Sequence, residues 1–366
     1  MATAHPGGRI SQLLSRLSRS PRISGSDAEA DARRFCRMQL ENSGFSCRET
    51  TFDYSQWPGK WGPPVAAGAQ LVTILIVARM ARNGDPMTGF AFGATLLVAL
   101  VLLSRNARRT WTSAFPFLRA SGVNLEGSRG TPSVWLVAHI DTKSQTVPML
   151  YRIASVVLLN VLTAAAFGLA LLQATGATTA RSYWLVVSLL AGLAAMPSLL
   201  CVVRNDSPGA VDNASGVAAV LFAAEQVAPE QSLGVLITSG EELGLAGARE
   251  WAKSLSAGAR VVNCDTIDDS GTWLCMYTGS RPPLALLAET IARRSGLNLR
   301  VTRLIPGILA DSVAFSDRGF ESVTLSRGSL ATLARIHTRR DNSAALTGSS
   351  IGNAAALMAA LTTELG

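Results

Sequence analysis

Candidate metal ligands recur along this chain, from residue 139 to residue 337, in one kind of place, and that placement restricts the fold more than any other feature. His139 and Asp141 sit in WLVAHIDT, Asp212 opens DNASG, Glu241 and Glu242 are adjacent in TSGEELG, Asp265 ends VVNCD, and His337 lies in RIHTRRD. Each falls where an apolar, strand-like run ends or a helix-like run begins. Ligands this far apart in sequence share a site only if the fold brings such ends together. An α/β sheet does so at the crevice where its strands end. Five His and carboxylate ligands with one spare carboxylate suit a two-zinc hydrolase that carries its own base. The chain has three histidines, and two of them belong to these motifs.

Each motif also has a plain structural reading. HxD describes a buried histidine beside a carboxylate. DNASG is also a turn with an Asp N-cap ahead of the helix-like run VAAVLFAAEQV. A glutamate pair before a helix is favoured by the helix dipole. Two adjacent carboxylates at a strand end nonetheless repel unless cations or protons relieve them. The motifs carry the metal reading together and in this order, not singly.

In that order they resemble the co-catalytic zinc aminopeptidases, the family that also contains glutamate carboxypeptidase and the transferrin receptor ectodomain. The shared pattern is HxD, D-N-A/S-G, EE, a strand-end Asp, and a late His followed by T-x-x-D. The N-terminal segment LLSRLSRSPRISGSDAEADARRFCRMQLENSGF is similar to the family's first helix, R-x-x-G-S turn and second helix. The resemblance implies that His139 and Asp265 hold one zinc, that Glu242 and His337 hold the other, and that Asp212 bridges the two. It gives Asp141 the task of orienting His139 and makes Glu241 the general base. Two zinc ions per chain would share a hydroxide and polarise a carbonyl. Glu241 would take the proton of that water and return it to a leaving amine. The implied reaction is amide hydrolysis, with removal of an N-terminal residue as the foremost case.

Two departures bear on substrate handling. The family's late S-D-H-x-x-F appears here as ADSVAF, with Asp311 matching as a candidate substrate contact and Ser312 in place of the His. Ile336 precedes the last ligand, where some members carry a Tyr that supports the oxyanion. A deacylase or acyl-transfer enzyme on the same scaffold is the enzymatic alternative. A non-catalytic membrane module that kept the fold is the alternative from another class, and the intact ligands and base argue against it.

The rest of the chain reads as α/β. SVWLVAH, LGVLITSG, RVVNCD, WLCMYTG, LRVTRLI and SVTLS are strand-like, and GVAAVLFAAEQV, LAGAREWAKSL, PLALLAETIARRSG and SSIGNAAALMAALTTEL are helix-like. This alternation predicts a mainly parallel central sheet flanked by helices.

Only 16% of residues are charged, low for a soluble protein. Apolar stretches cover about residues 65–78, 87–104, 153–173 and 183–203. The last two approach the roughly 20 residues that span a bilayer. The first is short and ends at Arg79, which snorkels to the interface or closes a buried helix. The short links ARNGDP and ATTARSY pair the stretches into two helical hairpins. The expected organisation is therefore a discontinuous catalytic domain (residues 5–60, 105–150 and 204–366) interrupted by transmembrane hairpins at 61–104 and 151–203.

Lys60, Arg105, Arg108, Arg109, Lys143, Arg152 and Arg204 flank the catalytic side of these stretches, and Arg79, Arg82 and Arg181 lie on or near the opposite loops. The positive-inside rule then places the catalytic domain of a cell-membrane protein in the cytoplasm. The opening MATAHPGGRISQLLSRLSRSP has no apolar core of signal-peptide length. Its Ile10, Leu13, Leu14 and Leu17 recur at helical spacing, which suits a membrane-surface helix or, preferably, a first helix packed on its own domain. The net charge of +8 gathers beside the apolar stretches without a nucleic-acid motif, so the expected partners are an amide substrate and anionic lipid, with no nucleic acid. Five cysteines without CxxC spacing give no disulfide framework.

Overall fold

The computed structural model describes residues 6–114, 116–305 and 308–366. Residue 5, the expected start of the catalytic domain, lies outside them. So do the side chains of Arg105, Arg108 and Arg109, three of the residues used to orient the chain. The chain divides into two compact units. One comprises residues 1–56, 116–144 and 204–366, and the other residues 57–115 and 145–203.

The first unit is built on an eight-stranded sheet. In chain order its strands are β1 (Ser46–Ser55), β2 (Arg119–Arg129), β3 (Val134–His139), β4 (Leu233–Thr238), β5 (Arg260–Ile267), β6 (Thr272–Tyr277), β7 (Leu299–Arg303) and β8 (Glu321–Gly328). Their spatial order is β1-β2-β4-β3-β5-β8-β6-β7. The central run β4-β3-β5-β8 is parallel, whereas β2 pairs antiparallel with both its neighbours and β6 pairs antiparallel with β8. The sheet is thus mixed, with its parallel part in the middle, where both faces are covered.

Burial follows the period-two rule of strands. In β3, Leu136 and Ala138 face a core shared with helices α1 (Pro6–Leu17), α2 (Asp27–Asn42), α7 (Ser215–Gln226), α9 (Pro283–Arg294) and α12 (Ser349–Leu365). Trp135 and Val137 face the other side, against Trp251 of α8 (Ala246–Trp251) and Phe315 of α10 (Ser312–Ser316). Ile10, Leu13, Leu14 and Leu17 of α1 are all buried in the first core. The apolar stripe of α1 therefore packs on its own domain.

Both apolar insertions leave and rejoin this unit at neighbouring points. Ser55 ends β1 directly opposite Arg119, which starts β2, so residues 57–115 occupy the position of a hairpin loop. Ser144 and Asp206 meet at the other junction, where the Ser144 hydroxyl accepts the Asp206 amide at 2.9 Å.

The second unit consists of α3 (Trp57–Arg82), α4 (Pro86–Ala114), α5 (Met149–Ala174) and α6 (Arg181–Leu199). α3 packs on α4, α5 and α6, and α5 packs on α4 and α6. The interior is largely alanine, with Ala78, Ala81, Ala166, Ala170, Ala191 and Ala195 buried beside Ile74, Val77, Leu159 and Trp184. Large apolar residues lie on the outside, among them Val72, Leu102, Val161, Leu172, Leu189 and Leu193. α3, α5 and α6 are long and apolar enough to cross a membrane.

Candidate metal centre

The site forms where the four central parallel strands end. His139 is the last residue of β3, and Glu241 and Glu242 follow β4 by three and four residues. Asp265 lies near the end of β5, Asp212 precedes α7, and His337 follows α11 (Leu330–Arg335), which β8 leads into. All are buried or nearly so. They form two groups whose candidate ligand atoms are close together: His139, Glu241 and Asp265, and Asp212, Glu242 and His337.

Asp212 touches both groups, with a different oxygen for each. Its Oδ1 is 3.2 Å from His139 Nε2, and its Oδ2 is 2.9 Å from His337 Nε2. His139 Nε2 also faces Asp265 Oδ1 at 3.5 Å and Glu241 Oε2 at 3.9 Å, and His337 Nε2 faces Glu242 Oε1 at 3.1 Å.

These spacings fit metal ions. A ring nitrogen carries at most one proton, so it cannot donate fully to three oxygens. With Nδ1 carrying the proton of a neutral ring, its Nε2 lone pair would face the carboxylates and be repelled. Zinc ligands about 2.0–2.1 Å from a tetrahedral ion lie about 3.3 Å from one another, near the separations seen here. Glu242 Oε1 is buried and, among the described residues, has no hydrogen-bond partner. A buried oxygen without a well-aligned donor is accounted for by a bound ion or water, and the ligand-like spacings around it favour an ion.

The loops are held by groups that are not themselves candidate ligands. The carboxylate of Asp141 accepts the main-chain amides of Glu241 and Glu242, at 3.1 and 3.3 Å. Its main-chain oxygen is 3.0 Å from His139 Nδ1. The orienting contact expected of Asp141 is therefore made by its backbone, and its side chain positions the glutamate pair. Asn213 is completely buried; its Oδ1 accepts the amides of Gly216 and Thr266, and its Nδ2 donates to the carbonyl of Cys264. A Cβ on Gly216 would lie 2.2 Å from Asn213 Oδ1, so the DNASG motif needs glycine there. Thr266 and His337 both have left-handed backbone, with φ of 62° and 61°. For a β-branched residue such as Thr266 this is strained. It is retained where Asp265 is aimed into the site, and strain of this kind clusters at functional positions.

Sequence reasoning assigned Lys143, Asp341 and Arg22 no role in the metal site. Lys143 Nζ is 2.6 Å from Glu242 Oε2, which leaves Oε1 as the oxygen turned toward His337. Asp341 accepts the amides of Val211 and Asp212 at 2.7 and 3.1 Å. Arg22 is fully buried and donates to the carbonyls of Ile140, Pro208 and Gly209, tying the turn after α1 to both ligand loops. Asp341 and Arg22 did lie inside quoted motifs, T-x-x-D and R-x-x-G-S, which was the available signal. Asp311 is completely buried, accepts the Thr238 hydroxyl at 2.5 Å, and presents no surface to a substrate.

The electrostatics separate the two glutamates. Burial pushes Glu241 well above the usual carboxylate range; His139 opposes this, while Glu242 and Asp265 reinforce it. Burial also acts on Glu242, but His337 and Lys143 outweigh it and hold the group below its ordinary value. Asp212 is held far lower still, because both imidazoles bond to it and overcome its burial. Burial lowers the histidines, yet the surrounding carboxylates leave His139 well above and His337 above the usual value. Neighbouring groups driven apart in this way are suited to different roles.

A mixed α/β sheet with His and carboxylate groups gathered at its parallel strand ends defines a metallohydrolase. The chain belongs to peptidase family M28, whose profile matches residues 123–362. No curated protein sequence matches it. Among solved structures it is similar to a zinc aminopeptidase from Bacillus subtilis, at 14% identity and a TM-score of 0.58 over 100% of this chain and 96% of that one. An aminopeptidase from Aneurinibacillus sp. strain AM-1 gives 13% and 0.58 over 98% and 93%. A glutaminyl cyclase from Porphyromonas gingivalis gives 12% and 0.57 over 99% of each chain. At these identities the likeness is one of fold. Family and fold together imply zinc.

Proposed function

We propose that this protein is a membrane-embedded, two-zinc aminopeptidase. The observation that carries the proposal is Asp212, whose two oxygens each approach a different histidine. In this reading His139 and Asp265 hold one ion, Glu242 and His337 hold the other, and Asp212 bridges them. Bound zinc supplies Lewis acidity and lowers the pKa of water toward neutrality. Glu241 is the general base: its Oε2 takes a proton from water and returns it to the leaving amine. Its pKa, raised by burial, makes it a stronger proton acceptor than an ordinary glutamate. Lys143 occupies Glu242 Oε2, leaving Oε1 as the oxygen that would meet an ion.

The helical unit supports the membrane part of the proposal. α3 and α5 have 26 residues each and α6 has 19, with mean hydropathies of 1.6, 2.2 and 1.6. Small residues inside and large apolar residues outside suit helices packed in lipid, where tails solvate the outer face and small side chains let backbones approach. With α4 they make two hairpins, and the excess of basic residues on the catalytic flanks supports a cytoplasmic catalytic unit.

A second reading, amide chemistry other than removal of an N-terminal residue, draws on the equal likeness to a glutaminyl cyclase. One assay separates the two: hydrolysis of aminoacyl amides, N-blocked peptides and acyl-amino acids by detergent-solubilised protein, with and without chelator. The proposal expects chelator-sensitive cleavage of substrates with a free N-terminal amine. Activity confined to blocked or acylated substrates would contradict it.

A further inference from the structure

Two amides in the helical unit are not used by the metal chemistry. Gln70 of α3 donates through Nε2 to Asn160 Oδ1 and to Thr163 Oγ1, both at 3.0 Å. That leaves two N–H groups on Asn160 Nδ2 and the acceptor Gln70 Oε1, none of which has a hydrogen-bond partner among the described residues. Gln70 is partly exposed and Asn160 is exposed. Gln70 lies 13 residues after Trp57 and 12 before Arg82, and Asn160 lies 11 after Met149 and 14 before Ala174. At about 1.5 Å per residue, both sit close to the middle of a hydrocarbon core about 30 Å thick.

Lipid tails provide neither acceptors nor donors, so unmet amide groups at this depth are costly. The group that relieves them must bring an acceptor to Asn160 and a donor to Gln70 at the same depth. A second copy inserted the same way has both there by symmetry. Across a two-fold axis along the membrane normal, Asn160 Nδ2 of each copy donates to Gln70 Oε1 of the other, the self-complementary exchange of an isologous contact. The face allows close approach. Ala164 and Gly168 follow Asn160 at i+4 and i+8, both are exposed, and a Cβ at Gly168 would meet nothing within 4 Å. Small residues at this spacing let helix backbones come together in lipid.

We infer that the α5 face carrying Asn160, Ala164 and Gly168, with Gln70 of α3, is a self-association surface occupied by a second copy of this chain. The inference rests on reading α3 and α5 as membrane spans.

The test uses the full chain, labelled at its C-terminus with donor or acceptor fluorophores and reconstituted in phosphatidylcholine vesicles over a range of protein-to-lipid ratios. Alkaline extraction is measured on the same vesicles. Wild type should resist extraction and show energy transfer that rises with protein-to-lipid ratio. Asn160→Leu and Gln70→Leu should each weaken association by about 10- to 200-fold, because each removes both symmetry-related bonds and an interhelical hydrogen bond in a membrane is usually worth about 3- to 15-fold. The double variant should be little worse than either single one, because both remove the same bonds. Leucine is more apolar than either amide, so insertion should persist. Unchanged association of Asn160→Leu, or monomeric wild type that still resists extraction, would overturn the inference alone. Release of wild type by alkali would overturn the span reading and this inference with it.

Discussion

His139 Nδ1 lies 3.0 Å from the main-chain oxygen of Asp141, while the carboxylate of that same residue stands 3.8 Å away. The histidine ring is thus steadied by backbone, and the Asp141 carboxylate is committed to the amides of Glu241 and Glu242. The HxD motif joins two ligand loops through one side chain. Burial drives the Asp141 carboxyl up to about 8, with His139 opposing and Glu29 and Glu242 reinforcing.

Asp141→Asn separates these contacts. An amide has one acceptor where the carboxylate has two, so one of the glutamate amides loses its partner. His139 keeps its main-chain contact. Metal content should stay close to wild type while kcat falls by about 10- to 100-fold. Parallel loss of metal and activity would mean that the Asp141 carboxylate, not its backbone, holds the histidine.

The glutamate pair should divide chemistry from assembly. Glu241→Gln keeps size and hydrogen bonding and removes a charge beside Glu242. Metal content and thermal midpoint should be unchanged, and kcat should fall by about 10²- to 10⁴-fold, the worth of a positioned base. Glu242→Gln replaces a ligand with a neutral amide and should lower metal content. Near wild-type turnover of Glu241→Gln would remove it as the base.

Metal affinity should depend on pH with a definite sign. The carboxylates raise the pKa of both His139 and His337 in the metal-free protein, so the imidazoles bind protons that a metal must displace. Affinity should therefore fall as pH drops and rise with pH until the raised histidine pKa values are passed. Binding at pH 7 should release protons, detectable calorimetrically in buffers of different ionisation enthalpy. Affinity independent of pH across this range would contradict the histidine assignment.

How much of this was legible in the sequence varied with the physics of each part. The central strands were visible because both faces are buried, so β3 and β4 read as continuous apolar runs. β2, RASGVNLEGSR, was not, because it carries few apolar residues and owes its place to its pairing with β1 and β4. The first apolar stretch covers only about residues 65–78, whereas α3 begins at Trp57 and runs through Pro63 and Pro64, because the residues before 65 are not uniformly apolar. The candidate ligands were legible as motifs. The contacts of Lys143 with Glu242 and of Asp341 with the amide of Asp212 depend on loops that converge only in the fold.

Topology gives a prediction independent of the chemistry. A reporter fused after Gly366 should be cytoplasmic, and one inserted near Thr178, in the link between α5 and α6, should be external. The reverse pattern would put the catalytic unit outside the cytoplasm and expose it to a different pool of substrates.

The central claim is that Asp212 bridges two metal ions, and metal stoichiometry tests it most directly. Elemental analysis of the purified full-length protein should find close to two zinc ions per chain. In Asp212→Ala both should be lost, because each ion is left with one histidine and one carboxylate from the proposed set. Full metal retention by Asp212→Ala, or a single ion in wild type that the variant keeps, would contradict the bridged two-zinc centre.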